Sequence, residues 1–361
     1  MKFGKKSAGA VVAGLSLVMA LAPAVPAFAA TTDTGVKVTK NLMLNEGSTV
    51  DATFSFTATP IQLHVQGEGT SEEKTAPESE VPAITIDNIA FTAATETAGK
   101  NTKTTAIKLA DGASYPHAGV YAWRVRETTG NQTGVQYNTG NNAYTLIANV
   151  VNGNNGLTAT YVVVKNDTTT SITNQDKAGN EGAEFTNKYT EKTDDHNDSA
   201  DADLTITKRV AGNQGDKTKD FSFTVTFTAP EVLPEGFTAA DYLAGITCDK
   251  GTNKAGTVTF TLKDGETAKF TNVLVGTKYS VTETAVNGYQ QSYAGVSNGA
   301  NVTTQSDVLI GEKANSGTMT NTHNDVTPTG IVINNMPYIV MAGAAVAGVV
   351  AYGAAKRKLE Q

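Results

Sequence analysis

Cysteine is almost missing: Cys248 is the only one in 361 residues, so no intramolecular disulfide can form. Histidine is nearly as scarce. His64, His117, His196 and His323 stand at no spacing that suits zinc, and no Gly-x-Ser-x-Gly elbow or phosphate-binding glycine loop occurs. Charged residues make up only 17% of the chain, and a net charge of -7 comes without the clustered Lys and Arg that displace counterions from nucleic acid. These absences give no reason to expect a metal, a cofactor or a nucleic-acid partner. They place an exported enzyme behind structural and binding roles. What is abundant is glycine, 34 residues, with many Thr and Asn. That composition suits short strands and turns rather than amphipathic helices, so the fold class reads as all-β. The length accommodates two or more domains.

Both ends carry apolar runs. Lys2, Lys5 and Lys6 precede a run from Ala8 to Ala22, followed by Pro26-Ala27-Phe28-Ala29-Ala30. That order fits a secretory signal peptide over 1–29, giving Sec export and a mature chain from Ala30 or Thr31. At the other end an apolar stretch over 331–355 has the length of a membrane helix, and Lys356-Arg357-Lys358 in the tail 356–361 would stay cytoplasmic. A plain tail anchor is one reading. The other comes from Val326-Thr327-Pro328-Thr329-Gly330 just outside the span. Motif, apolar run and basic tail together resemble the cell-wall sorting signal of Gram-positive bacteria, here without the leading Leu of its commonest form. The resemblance implies that Pro328, Thr329 and Gly330 form a sortase site cut between Thr329 and Gly330. The Thr329 acyl group would then pass to an amine of peptidoglycan or of a neighbouring subunit, and the chain would be substrate rather than catalyst.

Between the ends the sequence is duplicated. Lys37-Val38-Thr39-Lys40 precedes Phe54-Ser55-Phe56-Thr57, and Thr205-Ile206-Thr207-Lys208 precedes Phe221-Ser222-Phe223-Thr224. Each half then has a Tyr-containing strand ending in Glu and closes on Thr-Asn, at Thr186-Asn187 and Thr320-Asn321. Repeats of this length are domains, expected over 30–192 and 204–324. The acidic run 193–203 between them cannot bury a core and reads as a linker. Its carboxylates and amides could also hold calcium, although the EF-hand Gly and terminal Glu are missing. Gly67 to Pro82, with five glutamates, reads as an exposed loop.

Period-two alternation assigns the faces. Val36, Val38, Lys40 and Leu42 share one face, as do Leu204, Ile206, Lys208 and Val210. Glu127 falls on the face of Tyr121, Trp123 and Val125, and Glu283 on that of Tyr279 and Val281. Asn187 shares a face with Phe185, and Asn321 with Met319. Each domain therefore aims one Lys, one Glu and one Asn at its core. A desolvated lysine loses its proton easily and becomes a nucleophile, while a desolvated glutamate tends to keep one and can donate it. Glu127 and Glu283 would then polarise the carboxamides and shuttle protons while Lys40 joins Asn187 and Lys208 joins Asn321, releasing ammonia. The bland alternative is that both lysines snorkel to water and the glutamates form edge ion pairs.

The stretches KVTKNL, YAWRVRE, FTN, LTITKRVAG, KDFSF, LKDGE, VGTKYSVTE and TNT resemble the two-domain backbone pilin of Gram-positive sortase-assembled pili, the streptococcal T-antigen type. The resemblance covers nearly the whole mature chain. It implies two tandem CnaB-like, immunoglobulin-like β-sandwiches, with bond-forming residues at Lys40, Glu127 and Asn187 and at Lys208, Glu283 and Asn321. It also implies a lysine late in the first domain that receives the next subunit, for which Lys177 is the first choice and Lys165 the second. The implied partners are a pilus-specific sortase, identical subunits joined head to tail, peptidoglycan or a basal pilin, and a tip adhesin. The alternative is a wall-anchored adhesin displayed singly. Cys248 reads as a small core residue.

Overall fold

The computed structural model describes residues 33–66, 72–138, 143–154, 156–165, 171–172, 182–192 and 203–324. The signal peptide, nearly all of the acidic linker, the VTPTG motif, the C-terminal apolar run and Lys177 lie outside the described residues. Among those described, no helix is long and apolar enough to cross a membrane. The chain divides into two compact units that meet between Thr190 and Glu191.

Unit one is a β-sandwich. One sheet orders Val135–Gln136, Ala183–Tyr189, Asp33–Leu44, Gly99–Leu109 and Ile84–Ile86; the other orders Gly156–Lys165, Ala143–Gly153, Gly119–Glu127 and Phe56–Ile61. Val38, Leu42 and Phe185 of the first sheet share a core with Tyr121, Trp123 and Leu146 of the second. The closing strand Ala183–Tyr189 buries alternate residues, as a sheet with one covered face must. Ala143–Gly153 departs from that rule and buries six residues in succession. The cause is a second apolar layer on the outer face, where Leu63 packs with Ala122, Ile147 and Val164. Leu63 leads into a small sheet of Ser171–Ile172, His64–Gln66 and Glu72–Lys74. The described part of the segment expected as an exposed loop contains regular structure instead. It supplies the strand Glu72–Lys74 and a 3-10 turn at Glu78–Glu80, and it buries Thr75 and Val81. Chemistry requires this at Trp123: a buried indole N–H needs an acceptor, and the Pro82 carbonyl takes it at 2.8 Å.

Unit two repeats the plan. Thr247–Cys248, Thr267–Thr271, Leu204–Ala211, Ser316–Thr322, Gln290–Ser297 and Ala300–Val302 form one sheet; Thr252–Lys254, Thr257–Leu262, Phe221–Thr228, Lys278–Glu283 and Val308–Leu309 form the other. The helix Ala239–Gly245 interrupts the all-β pattern, nucleated by a capping box between Thr238 and Asp241. Cys248 is partly buried at the core margin.

One feature of topology positions the buried polar side chains of both units. In each unit the opening strand lies beside the closing strand and parallel to it: Asp33–Leu44 against Ala183–Tyr189, and Leu204–Ala211 against Ser316–Thr322. Parallel neighbours require a long crossover, and here almost the whole domain is the crossover.

Candidate functional site

The parallel registers are equivalent. Lys40 stands opposite Phe185 and Leu42 opposite Asn187; Lys208 stands opposite Met319 and Val210 opposite Asn321. Each lysine is therefore offset by two residues from its asparagine, on the same face of the sheet, within reach of a long side chain. The glutamates arrive from the facing sheet. Glu127 ends its strand opposite Phe56, and Glu283 ends its strand opposite Phe223. The structure thus brings Lys40, Glu127 and Asn187 together in unit one, and Lys208, Glu283 and Asn321 together in unit two.

In unit one Lys40 Nζ lies 2.8 Å from Glu127 Oε1, and Asn187 Nδ2 donates to the same oxygen at 2.8 Å. Lys40 is fully buried and Asn187 almost so, while 5% of the Glu127 side chain is exposed. The ammonium sits 4.4 Å from the centre of the Phe54 ring, a favourable cation–π contact. Its approach to Glu127 is close but poorly directed, leaving Nζ without a well-aligned hydrogen bond. Burial pulls the Lys40 pKa from its ordinary 10.5 down to about 8, with Glu127 acting partly against that.

Unit two differs in detail. Lys208 Nζ donates to Glu283 Oε2 at 2.9 Å and lies 4.3 Å from the Phe221 ring centre. Asn321 Nδ2 donates to the other carboxylate oxygen, Oε1, which also receives Gln291 Nε2 at 3.3 Å. Lys208 and Asn321 are fully buried. Burial again lowers the lysine pKa, opposed by Glu283. Asn321 Oδ1 is buried with no hydrogen-bond donor among the described residues, a costly condition for a carboxamide oxygen.

Neither lysine snorkels to water, so the edge-pair alternative does not describe these groups. A buried pair of opposite charges returns its desolvation cost only with excellent geometry. What the arrangement can do chemically is move one proton from Nζ to the carboxylate, leaving a neutral amine beside a carboxamide. Each glutamate faces an Nδ2 rather than the carbonyl oxygen that the sequence-based mechanism had it polarise.

Four contributors escaped the sequence reading. The rings of Phe54 and Phe221 were visible as repeat markers, but only the fold puts them beneath the ammonium groups. Gln291 and the backbone amide of Asn138, which donates to Asn187 Oδ1 at 3.2 Å, left no signal in the pattern. Of the lysines considered for the receiving role, Lys165 is the exposed last residue of Gly156–Lys165, paired with Tyr144. Among the described residues no cluster of His, Cys, Asp and Glu could hold a metal.

Residues 36–190 match the family described as the Spy0128-like isopeptide containing domain, and residues 202–323 match a domain of unknown function, DUF7601. A pilin from Streptococcus pyogenes serotype M1 is 27% identical over 358 residues, covering 90% of this chain and 94% of the relative. Among solved structures, the major pilin from Streptococcus pyogenes is 23% identical, with 80% of this chain and 98% of that chain covered and a TM-score of 0.33. A major pilin protein from serotype GAS13637 of the same species is 19% identical, with 81% and 99% covered and a TM-score of 0.34.

Proposed function

From the match of residues 36–190 to the Spy0128-like isopeptide containing domain and the resemblance of the chain to a streptococcal pilin along nine-tenths of its length, we propose that it is the shaft subunit of a covalent, wall-anchored pilus. Each domain closes itself with a Lys–Asn isopeptide bond, Lys40 to Asn187 and Lys208 to Asn321. Sortase joins Thr329 of one subunit to a lysine of the next, Lys177 or Lys165. The observation that carries this reading is the repeated cluster: a buried lysine and asparagine on parallel terminal strands, with a glutamate reaching both from the facing sheet.

The reaction balances without a cofactor. A proton passes from Lys Nζ to the glutamate, and the freed lone pair attacks the Asn carboxamide carbon. The glutamic acid then delivers that proton to Nδ2 and takes the second Nζ proton from the adduct, so the carbon–nitrogen bond breaks, ammonia leaves, and the glutamate ends protonated. A buried charge is thereby exchanged for a neutral amide, which removes the desolvation cost of the lysine.

Two measurements test the proposal. Intact mass of the region from Thr31 to Asn324 is expected to fall short by about 17 Da per bond, with Glu127→Ala and Glu283→Ala each restoring one increment. An unmodified mass overturns the bonds. On cells, surface extracts boiled in detergent are expected to show a ladder of multimers that Thr329→Ala abolishes. A single band instead makes the chain a surface protein displayed in single copies.

A further inference from the structure

The two clusters differ at the carboxamide oxygen. In unit one Asn187 Oδ1 accepts the backbone N–H of Asn138 at 3.2 Å. In unit two Asn321 Oδ1 has no donor among the described residues. An N–H can face only an acceptor, so the Asn138 amide fixes the orientation of the Asn187 carboxamide: Oδ1 toward the backbone, Nδ2 toward Glu127. The segment bearing this amide is anchored next door. Tyr137 packs edge-on against Phe54 with ring centres 5.9 Å apart, and Phe54 also carries the Lys40 ammonium on its face.

We propose that the main-chain N–H of Asn138 is an oxyanion donor for the first bond, so that the two domains of this chain run the same condensation with different electrophile activation. The inference rests on the bond-forming role assigned above to Lys40, Glu127 and Asn187. When the Lys40 amine attacks Asn187 Cγ, the carbonyl π pair moves onto Oδ1, and the charge that develops there meets a donor already in line. Glu127, in contact with both Nζ and Nδ2, takes the proton from the amine and hands it to the departing nitrogen. The Cγ–Nδ2 bond breaks, the carbonyl re-forms, ammonia leaves, and Glu127 ends protonated by the second Nζ proton. Asn138 supplies no proton; its N–H stays covalently intact throughout. In unit two the same polarisation requires a half-turn of the Asn321 carboxamide, which brings Oδ1 to Glu283. The glutamate there must donate to the oxygen as well as serve the nitrogen.

The test removes one hydrogen atom. The chain is made by cell-free synthesis as wild type and with the peptide link at position 138 replaced by an ester, which lacks the N–H. Aliquots are quenched over time, digested, and scored by mass for the Lys40–Asn187 and Lys208–Asn321 cross-linked peptides. The ester is expected to slow the first cross-link about 100-fold or more, the effect of losing one oxyanion donor. The second cross-link should keep its rate. A first cross-link that forms in the ester chain at the wild-type rate overturns the proposal. If wild type itself never yields the Lys40–Asn187 peptide, the bond-forming reading fails instead. A second measurement does not depend on how the ester chain folds. In the unreactive Lys40→Met chain, the Asn138 amide should exchange with deuterium more than tenfold more slowly than in Lys40→Met/Asn187→Ala. Equal exchange overturns the proposal.

Discussion

At the residue scale, the proposed chemistry depends on burying a lysine where its charge is unwelcome. Desolvation is the largest influence on Lys40 and takes its pKa to about 8, so a useful fraction of neutral amine exists near neutral pH. The rate of first-bond formation should therefore climb with pH up to about 8 and level off above it, measured by the cross-linked peptide in buffers of constant ionic strength. The same shift predicts a stability slope in a chain that cannot react. In Asn187→Ala, the unfolded Lys40 holds its proton up to the ordinary 10.5 while the folded one releases it near 8. Between those values the unfolded state binds more protons, so stability rises with pH. Urea unfolding of Asn187→Ala should show a midpoint that increases across that window relative to bonded wild type, whose amide nitrogen no longer titrates. The alternation along Lys37-Val38-Thr39-Lys40 made this residue legible in the sequence, because a core-facing lysine breaks the pattern. Asn41 was not legible: it lies on the opposite face yet is fully buried, donating to Glu184 and Thr186 and accepting from Thr102.

At the element scale, the parallel pair of terminal strands is what sets lysine and asparagine within reach. Two glycines allow their backbones to pass closely. Gly182, just before the closing strand of unit one, has φ +90, and a Cβ there would lie 2.0 Å from the Lys37 carbonyl oxygen. Gly212, just after the opening strand of unit two, has φ +90 and would meet the His323 carbonyl oxygen at 2.1 Å. Neither the dihedral nor the space admits a side chain. Gly182→Ala should cost unit one about 1–3 kcal/mol and delay the first bond while leaving the second unchanged. Denaturant titration and cross-linked peptide yield check both halves of that expectation. The lateral order of the strands was beyond the sequence, since hydrophobic period gives a strand its face but not its neighbour.

For the whole molecule, each bond would close a loop of roughly 110–150 residues, worth about 5 kcal/mol on the chain-entropy model. Asn187→Ala/Asn321→Ala should melt roughly 10–20 °C below the bonded protein, followed by circular dichroism. Force separates the two forms more sharply. Tension that enters the opening strand of a bonded domain leaves through the closing strand without loading the residues between them. Under a pulling tether the bonded domains should show no unfolding step, whereas the double variant should release roughly 40–50 nm per domain. Unfolding steps of that length in bonded wild type would refute the covalent short-circuit.

The amino-acid order alone determined the all-β class, the duplication, and the inward placement of Lys40, Glu127, Asn187, Lys208, Glu283 and Asn321, because strict alternation ties each side chain to a face and charged residues among apolar ones stand out. The resemblance to a sorting signal likewise rests on linear order alone: motif, apolar run and basic tail. Tertiary structure decided what alternation cannot encode. It put the first and last strands side by side, brought each glutamate from the opposite sheet, laid Phe54 and Phe221 beneath the ammonium groups, and, among the described residues, gave Asn187 but not Asn321 a backbone donor. Those relations join residues far apart in the chain, and only the closure of a sandwich around one core brings such groups to bonding distance.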